Sequence, residues 1–269
     1  MNAVAVNFND FGIHEPPLTR EDNCVTHGEF ESRCRMRNIW SKCPACASEN
    51  KRAAESNEAA KARTAEVEHW QRQLGKAEIP IRFKDRTLAS YKATTSQQQK
   101  ALSFAQQYAD GFDAVRKSGR GALFVGKPGT GKTHLAVGIA LEVMGRWNGT
   151  ALFTTAMRAL RRVKDTWTRE SEESETQAIG ALVFPDLLIL DEVGVQFGSD
   201  TEKLILFEVL NERYEQRKPS ILMSNLTTNE VRDYLGERIF DRMREDGGQV
   251  RVFDWESYRG QSGDQDGGK

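Results

Sequence analysis

The stretch GALFVGKPGTGKTHLAVGIA constrains this chain more than any other. An apolar run from Ala122 to Val125 enters GKPGTGKT, and a helical pattern follows with Leu135, Ala136, Ile139 and Ala140 on one side. This is G-x-x-x-x-G-K-[ST] between a strand and a helix, the setting in which main-chain amides surround a phosphate. Gly126, Gly129 and Gly131 let the backbone wrap closely, and the helix N-terminus adds its positive end. Lys127, Pro128, Thr130 and His134 complete the expected nucleotide-binding loop. Lys132 is expected to contact the β- and γ-phosphates of ATP, and Thr133 to hold Mg²⁺.

Short β-type runs alternate with helical stretches around this loop, at residues 122–125, 151–155, 187–191, 221–225 and 250–254. Most are apolar throughout, as expected of strands buried on both faces of a parallel sheet. The expected fold class is therefore α/β, a five-stranded parallel sheet flanked by helices. LLILDEVG puts Asp191 and Glu192 at the carboxyl end of a strand, where an open α/β sheet binds its ligand. Asp191 would share the Mg²⁺ shell with Thr133, and Glu192 would orient and deprotonate the attacking water. Asn225, closing ILMSN, has the same strand-tip position and could reach the γ-phosphate or that water.

Charge restricts the partners. The 269 residues include 38 Lys+Arg and 39 Asp+Glu, a formal net charge of −1. Bulk electrostatics recruit neither nucleic acid nor an anionic membrane, so such binding requires a local patch. One candidate is AMRALRRVKDTWTR at 156–169, where five basic side chains and Trp167 would suit single-stranded DNA. The alternative is a solvated face with Trp167 in the core. No apolar run approaches the roughly 20 residues that span a bilayer, and the first residues lack a basic-then-apolar export pattern. A cytoplasmic protein with no membrane partner is expected.

All four cysteines lie between positions 24 and 46. Cys24-x₂-His27 and Cys43-x₂-Cys46, fifteen residues apart, fit a tetrahedral Zn²⁺ site of three thiolates and one imidazole. Cys34 could replace His27 as the fourth ligand. Four protein ligands leave no open position, so the metal would be structural. The Ala-, Glu-, Lys- and Arg-rich stretch that follows lacks proline and favours helix. Near its end Val67, Trp70 and Leu74 share one face. The expected organisation is a zinc-binding module at 1–46, a helical linker or partner-binding segment at 47–78, the ATPase domain at 79–260 and a disordered tail at 261–269. Residues 169–177, RESEESETQ, read as a solvated loop.

GKPGTGKT, LLILDEVG, SNLT, GERIFDRMRE and FDWESYRG, in this order, resemble the AAA+ ATPases of the DnaC type, whose close relatives include the IstB transposition helpers. The resemblance covers residues 79–260 and implies an AAA+ P-loop fold. It also implies ATP-dependent loading of a DnaB-type replicative helicase onto single-stranded DNA, by a homo-oligomer formed on ATP binding. By the same resemblance Arg242 would be the arginine finger completing a neighbour's site, with Arg238 one turn away and Arg259 at the sensor 2 position. A transposition helper and a nucleotide-gated adaptor with little turnover remain the alternatives. DnaC proteins are not known for the N-terminal cysteine module.

Overall fold

The computed structural model describes residues 18–36, 39–195 and 199–258, and the chain divides into two compact units between Glu68 and His69. In the first unit β1 (Thr19–Cys24) and β2 (Gly28–Met36) form an antiparallel hairpin, and β3 (Ile39–Trp40) pairs with β2 near its far end. TREDNC has no apolar side chain outside Cys24, so hydrophobic periodicity gives no sign of β1, whereas in β2 Phe30, Ser32 and Cys34 alternate with charged residues. The hairpin turn brings Cys24 opposite Gly28, whose φ of +76° glycine adopts without strain. Helix α1 (Pro44–Lys76) starts directly after Cys43, three residues earlier than composition indicates. Proline suits a first helical position because the N–H it lacks would have no partner there.

The last turns of α1 belong to the second unit, where Trp70 and Leu74 pack against the core. The Val67 side chain lies outside the described ones. The chain continues through α2 (Ser96–Asp110), α3 (Phe112–Ser118), β4 (Ala122–Gly126), α4 (Lys132–Trp147), β5 (Ala151–Thr155), α5 (Ala156–Asp165) and α6 (Glu175–Val183). It then forms β6 (Leu187–Asp191), α7 (Asp200–Glu215), β7 (Ser220–Met223), α8 (Thr228–Leu235), α9 (Glu237–Arg242) and β8 (Gln249–Phe253). The helix α6 claims the end of the stretch expected as loop, because Ser174 and Gln177 form a capping box.

The five long-range strands make one parallel sheet in the order β5-β6-β7-β4-β8. Successive side chains of each inner strand serve opposite cores. Phe124, Ile189 and Met223 join α2, α3 and α4 on one face, whereas Leu123, Leu190 and Leu222 join α5, α6 and α7 on the other. This two-sided burial is why the strands read as continuous apolar runs. The last strand, β8, lies at the sheet edge and leaves Val252 exposed.

Arg213 of α7 is fully buried. Its guanidinium donates to the carbonyls of Leu182, Val183 and Pro185 at 3.0, 2.8 and 3.0 Å, to Pro219 O at 2.6 Å and to Ser220 Oγ at 2.8 Å. Burial lowers its pKa to about 9. One side chain thus ties the carboxyl end of α6 to the start of β7, satisfying carbonyls that no helical turn can reach.

Candidate functional site

The loop between β4 and α4 is closely approached by Phe253 and Tyr91. A Cβ on Gly126, at φ +117°, would lie 2.4 Å from the Phe253 carbonyl oxygen. A Cβ on Gly131, at φ +96°, would lie 2.7 Å from the Tyr91 ring. Both positions therefore require glycine on sterics and on backbone conformation. Lys132 is buried and turns back over the loop, its Nζ donating to Gly126 O at 2.6 Å and Lys127 O at 2.7 Å. Lys127 itself is exposed, with Glu256 3.8 Å away.

Asp191 ends β6, two strands away from β4, yet the Thr133 hydroxyl donates to its Oδ2 at 3.2 Å. Burial raises the Asp191 pKa, against the lowering effect of the Glu192 amide and the Thr133 hydroxyl. The chain turns sharply after the strand: Glu192 is exposed at φ +59°, and its amide donates to Asp191 Oδ1 at 2.8 Å. Two residues beyond β7, which separates β4 from β6, Asn225 is exposed at the same carboxyl edge. Its neighbour Ser224 is buried and donates to Val193 O at 2.6 Å, tying this strand tip to the turn after Glu192. Sequence reasoning passed over Ser224, for which SN alone is too weak a signal.

The other expected side chains are spread more widely. The ring of His134 turns toward the segment before α2, with Nε2 2.9 Å from Thr87 O and 3.2 Å from Ser90 Oγ. Of that residue only the main chain is left to face a phosphate. Arg242 ends α9, where its guanidinium bonds Asn211 Oδ1 and lies 4.4 Å above the Tyr214 ring. Arg238, one turn earlier, is exposed above Phe207. Arg259 lies outside the described residues.

In the basic stretch, α5 stops at Asp165, short of Trp167. Arg162 forms a forked pair with Glu173 at 2.6 to 3.2 Å, and Lys164 pairs with Glu202 at 2.8 Å. Arg158, Arg161 and Arg169 stay exposed, and Trp167 is 52% exposed rather than a core residue.

In the first unit the ligand atoms of Cys24, His27, Cys43 and Cys46 lie within 4.8 Å of one another. Cys24 and Cys46 sulfurs are 3.5 Å apart, and His27 Nδ1 is 3.3 to 3.8 Å from the three sulfurs. A tetrahedron with zinc–sulfur bonds of about 2.3 Å and a zinc–nitrogen bond of about 2.0 Å has edges of roughly 3.5–3.8 Å. The donor set therefore fits zinc in chemistry and in size. Cys34, on β2, is outside the cluster. The far nitrogen of the ring, His27 Nε2, is 3.0 Å from Glu49 Oε1 on α1. Hydrogen bonds from the Thr26 and His27 amides draw the Cys24 thiol down to about 6.

Comparison with known proteins gives the family and the fold. The family described as IstB-like ATP binding protein matches residues 57–265. The replicative helicase loader DnaC of Escherichia coli K12 is 36% identical over 189 residues, covering 70% of this chain and 75% of that one. The crystal structure of the DnaC helicase loader superposes with a TM-score of 0.59 at 22% identity, over 65% of this chain and all (100%) of that one. The crystal structure of DnaI gives 0.56 at 19% identity, over 67% and 94%. At those identities the two structures speak for the fold.

Proposed function

The chain belongs to the IstB/DnaC-like family of ATP-binding proteins, and on that premise we propose that it is an ATPase that loads a DnaB-type replicative helicase onto single-stranded DNA. The observation carrying the chemistry is the 3.2 Å bond from Thr133 to Asp191, which joins the phosphate loop to the acidic strand tip. Both groups are hard oxygen donors suited to Mg²⁺, which when bound neutralises charge on the β- and γ-phosphate oxygens. Lys132 exchanges its loop carbonyls for phosphate oxygens. Glu192 takes the proton of the attacking water, and Asn225 holds that water or the γ-phosphate.

Arg242 serves the site of an adjoining copy, with Arg238 beside it. Its charge stabilises the negative charge that hydrolysis spreads over the phosphoryl oxygens, so turnover depends on assembly. Arg158, Arg161, Arg169 and Trp167 supply the contact to single-stranded DNA, by charge and by stacking.

Residues 1–46 form a structural zinc module with Cys24, His27, Cys43 and Cys46 as ligands, and Glu49 orients the imidazole from outside. Together with the helical segment 47–78 it contacts the protein partner, and the motor occupies 79–260.

The test mixes the full chain with the host replicative helicase, ATP and single-stranded DNA, and weighs the species by mass photometry. A complex of helicase and loader that requires ATP supports the reading. The family match also carries a second reading, a transposition helper. Assembly with a transposase and none with the helicase would replace the first by the second.

A further inference from the structure

The phosphate loop is held by the tip of β8 and the segment that follows it. Trp255 is buried, and its indole Nε1 donates to Thr130 O at 3.0 Å. The Tyr91 hydroxyl reaches the same oxygen at 3.4 Å. The Tyr258 amide donates to Gly129 O at 3.0 Å, and the Lys127 amide donates to Phe253 O at 2.8 Å. The last residue of β8 and the five that follow it therefore grip three parts of the loop. The ring of Trp255 is itself fixed by Phe253, with centroids 4.8 Å apart.

The peptide unit is planar and trans, so its carbonyl and its N–H point in opposite directions. A donor that captures Gly129 O turns the Thr130 N–H the other way. A donor that captures Thr130 O does the same to the Gly131 N–H. Neither of these two amides makes a hydrogen bond of full geometry to a protein acceptor among the described residues. Thr130 is nevertheless buried, and a buried N–H is rarely left without an acceptor. Two amides turned the same way between glycines at φ +75° and +96° form an anion-binding concavity.

We propose that Trp255, with the Tyr258 main chain, is a positioning residue for nucleotide binding: it locks the two peptide groups so that their amides face the phosphates before nucleotide arrives. This rests on the reading of GKPGTGKT as the ATP site. Preorganisation of this kind removes the penalty of turning the amides during binding. Trp255 touches no phosphate in this scheme and acts through Thr130.

The test compares the full chain with Trp255→Phe, which keeps an aromatic ring and removes the donor. Affinities for ATP and AMP are measured by calorimetry, and the thermal midpoint is measured without nucleotide. The lost bond should weaken ATP by on the order of tenfold, the worth of about one hydrogen bond. AMP affinity should change little and the midpoint should fall only by what one buried hydrogen bond is worth, whereas general loosening would lower both nucleotides together. ATP affinity within twofold of the parent would overturn the proposal. If the parent itself does not bind ATP, the reading of the site fails instead. Should W255F unfold, Tyr258→Pro against Tyr258→Ala carries the test, since both lose the ring and only proline loses the N–H. The proline variant must then bind ATP several-fold more weakly than the alanine variant, and equal affinities overturn the proposal.

Discussion

Replacing Arg213 by methionine keeps an unbranched chain of similar length and deletes every donor of a fully buried group. The carbonyls of Leu182, Val183 and Pro185 then lose their guanidinium partner, as do Pro219 O and Ser220 Oγ. Pro219 O keeps a bond from the Leu188 amide at 3.3 Å, so three carbonyls bear the main loss. A buried polar group left unsatisfied costs about 1–3 kcal/mol, for a gross loss of roughly 3–9 kcal/mol. Relief of the buried charge offsets part of this. Its burden is visible in the lowering of the Arg213 pKa to about 9. A net loss of about 3–5 kcal/mol follows, the lower half of the range for three orphaned neutral acceptors. Urea unfolding followed by far-UV circular dichroism reads it directly. With a slope of roughly 2 kcal/mol per molar, the midpoint falls by about 1.5–2.5 M. A loss below about 1 kcal/mol would refute the idea that this side chain staples α6 to β7.

Glu192→Gln should leave ATP affinity unchanged in calorimetry and slow hydrolysis by about 10²-fold or more, the usual contribution of a positioned general base; turnover within a few-fold of the parent removes Glu192 from the chemistry. Gly126→Ala places a Cβ 2.4 Å from Phe253 O, so the loop must shift and ATP binding should disappear. Retention of parental affinity would show that the loop has room to spare. Purified without added metal, the protein should carry about one zinc per chain, and stripping it with a strong chelator should melt the first unit while the second keeps its helical signal. A metal-free sample with an intact first unit would discount the zinc assignment.

The second unit was largely legible because its strands are buried on both faces. Ile189 and Leu190 enter opposite cores, so both positions are apolar and the run announces itself. Strand ends drifted by a residue or two, as at β7, where pairing stops at Met223 and Ser224 leaves the ladder to bind Val193 O. The first unit was legible in its cysteine spacing and not in its first strand, since β1 has no apolar side chain before Cys24. Spacing also left Cys34 and His27 as alternatives, which the fold separates by setting Cys34 back on β2. The roles of Arg213 and Trp255 could not be found by pattern. A buried arginine on a helix looks like any surface arginine, and the partner of Trp255 lies 125 residues away in the chain.

Central to the proposed mechanism is that one copy of the chain does not complete its own hydrolytic site. The most direct measurement is ATP turnover per protomer across a wide range of protein concentration, repeated with Arg242→Ala doped into the parent protein. Turnover that climbs as copies assemble, vanishes on dilution and falls in proportion to the doped variant is the predicted result. A rate per protomer that ignores both dilution and doping would contradict it.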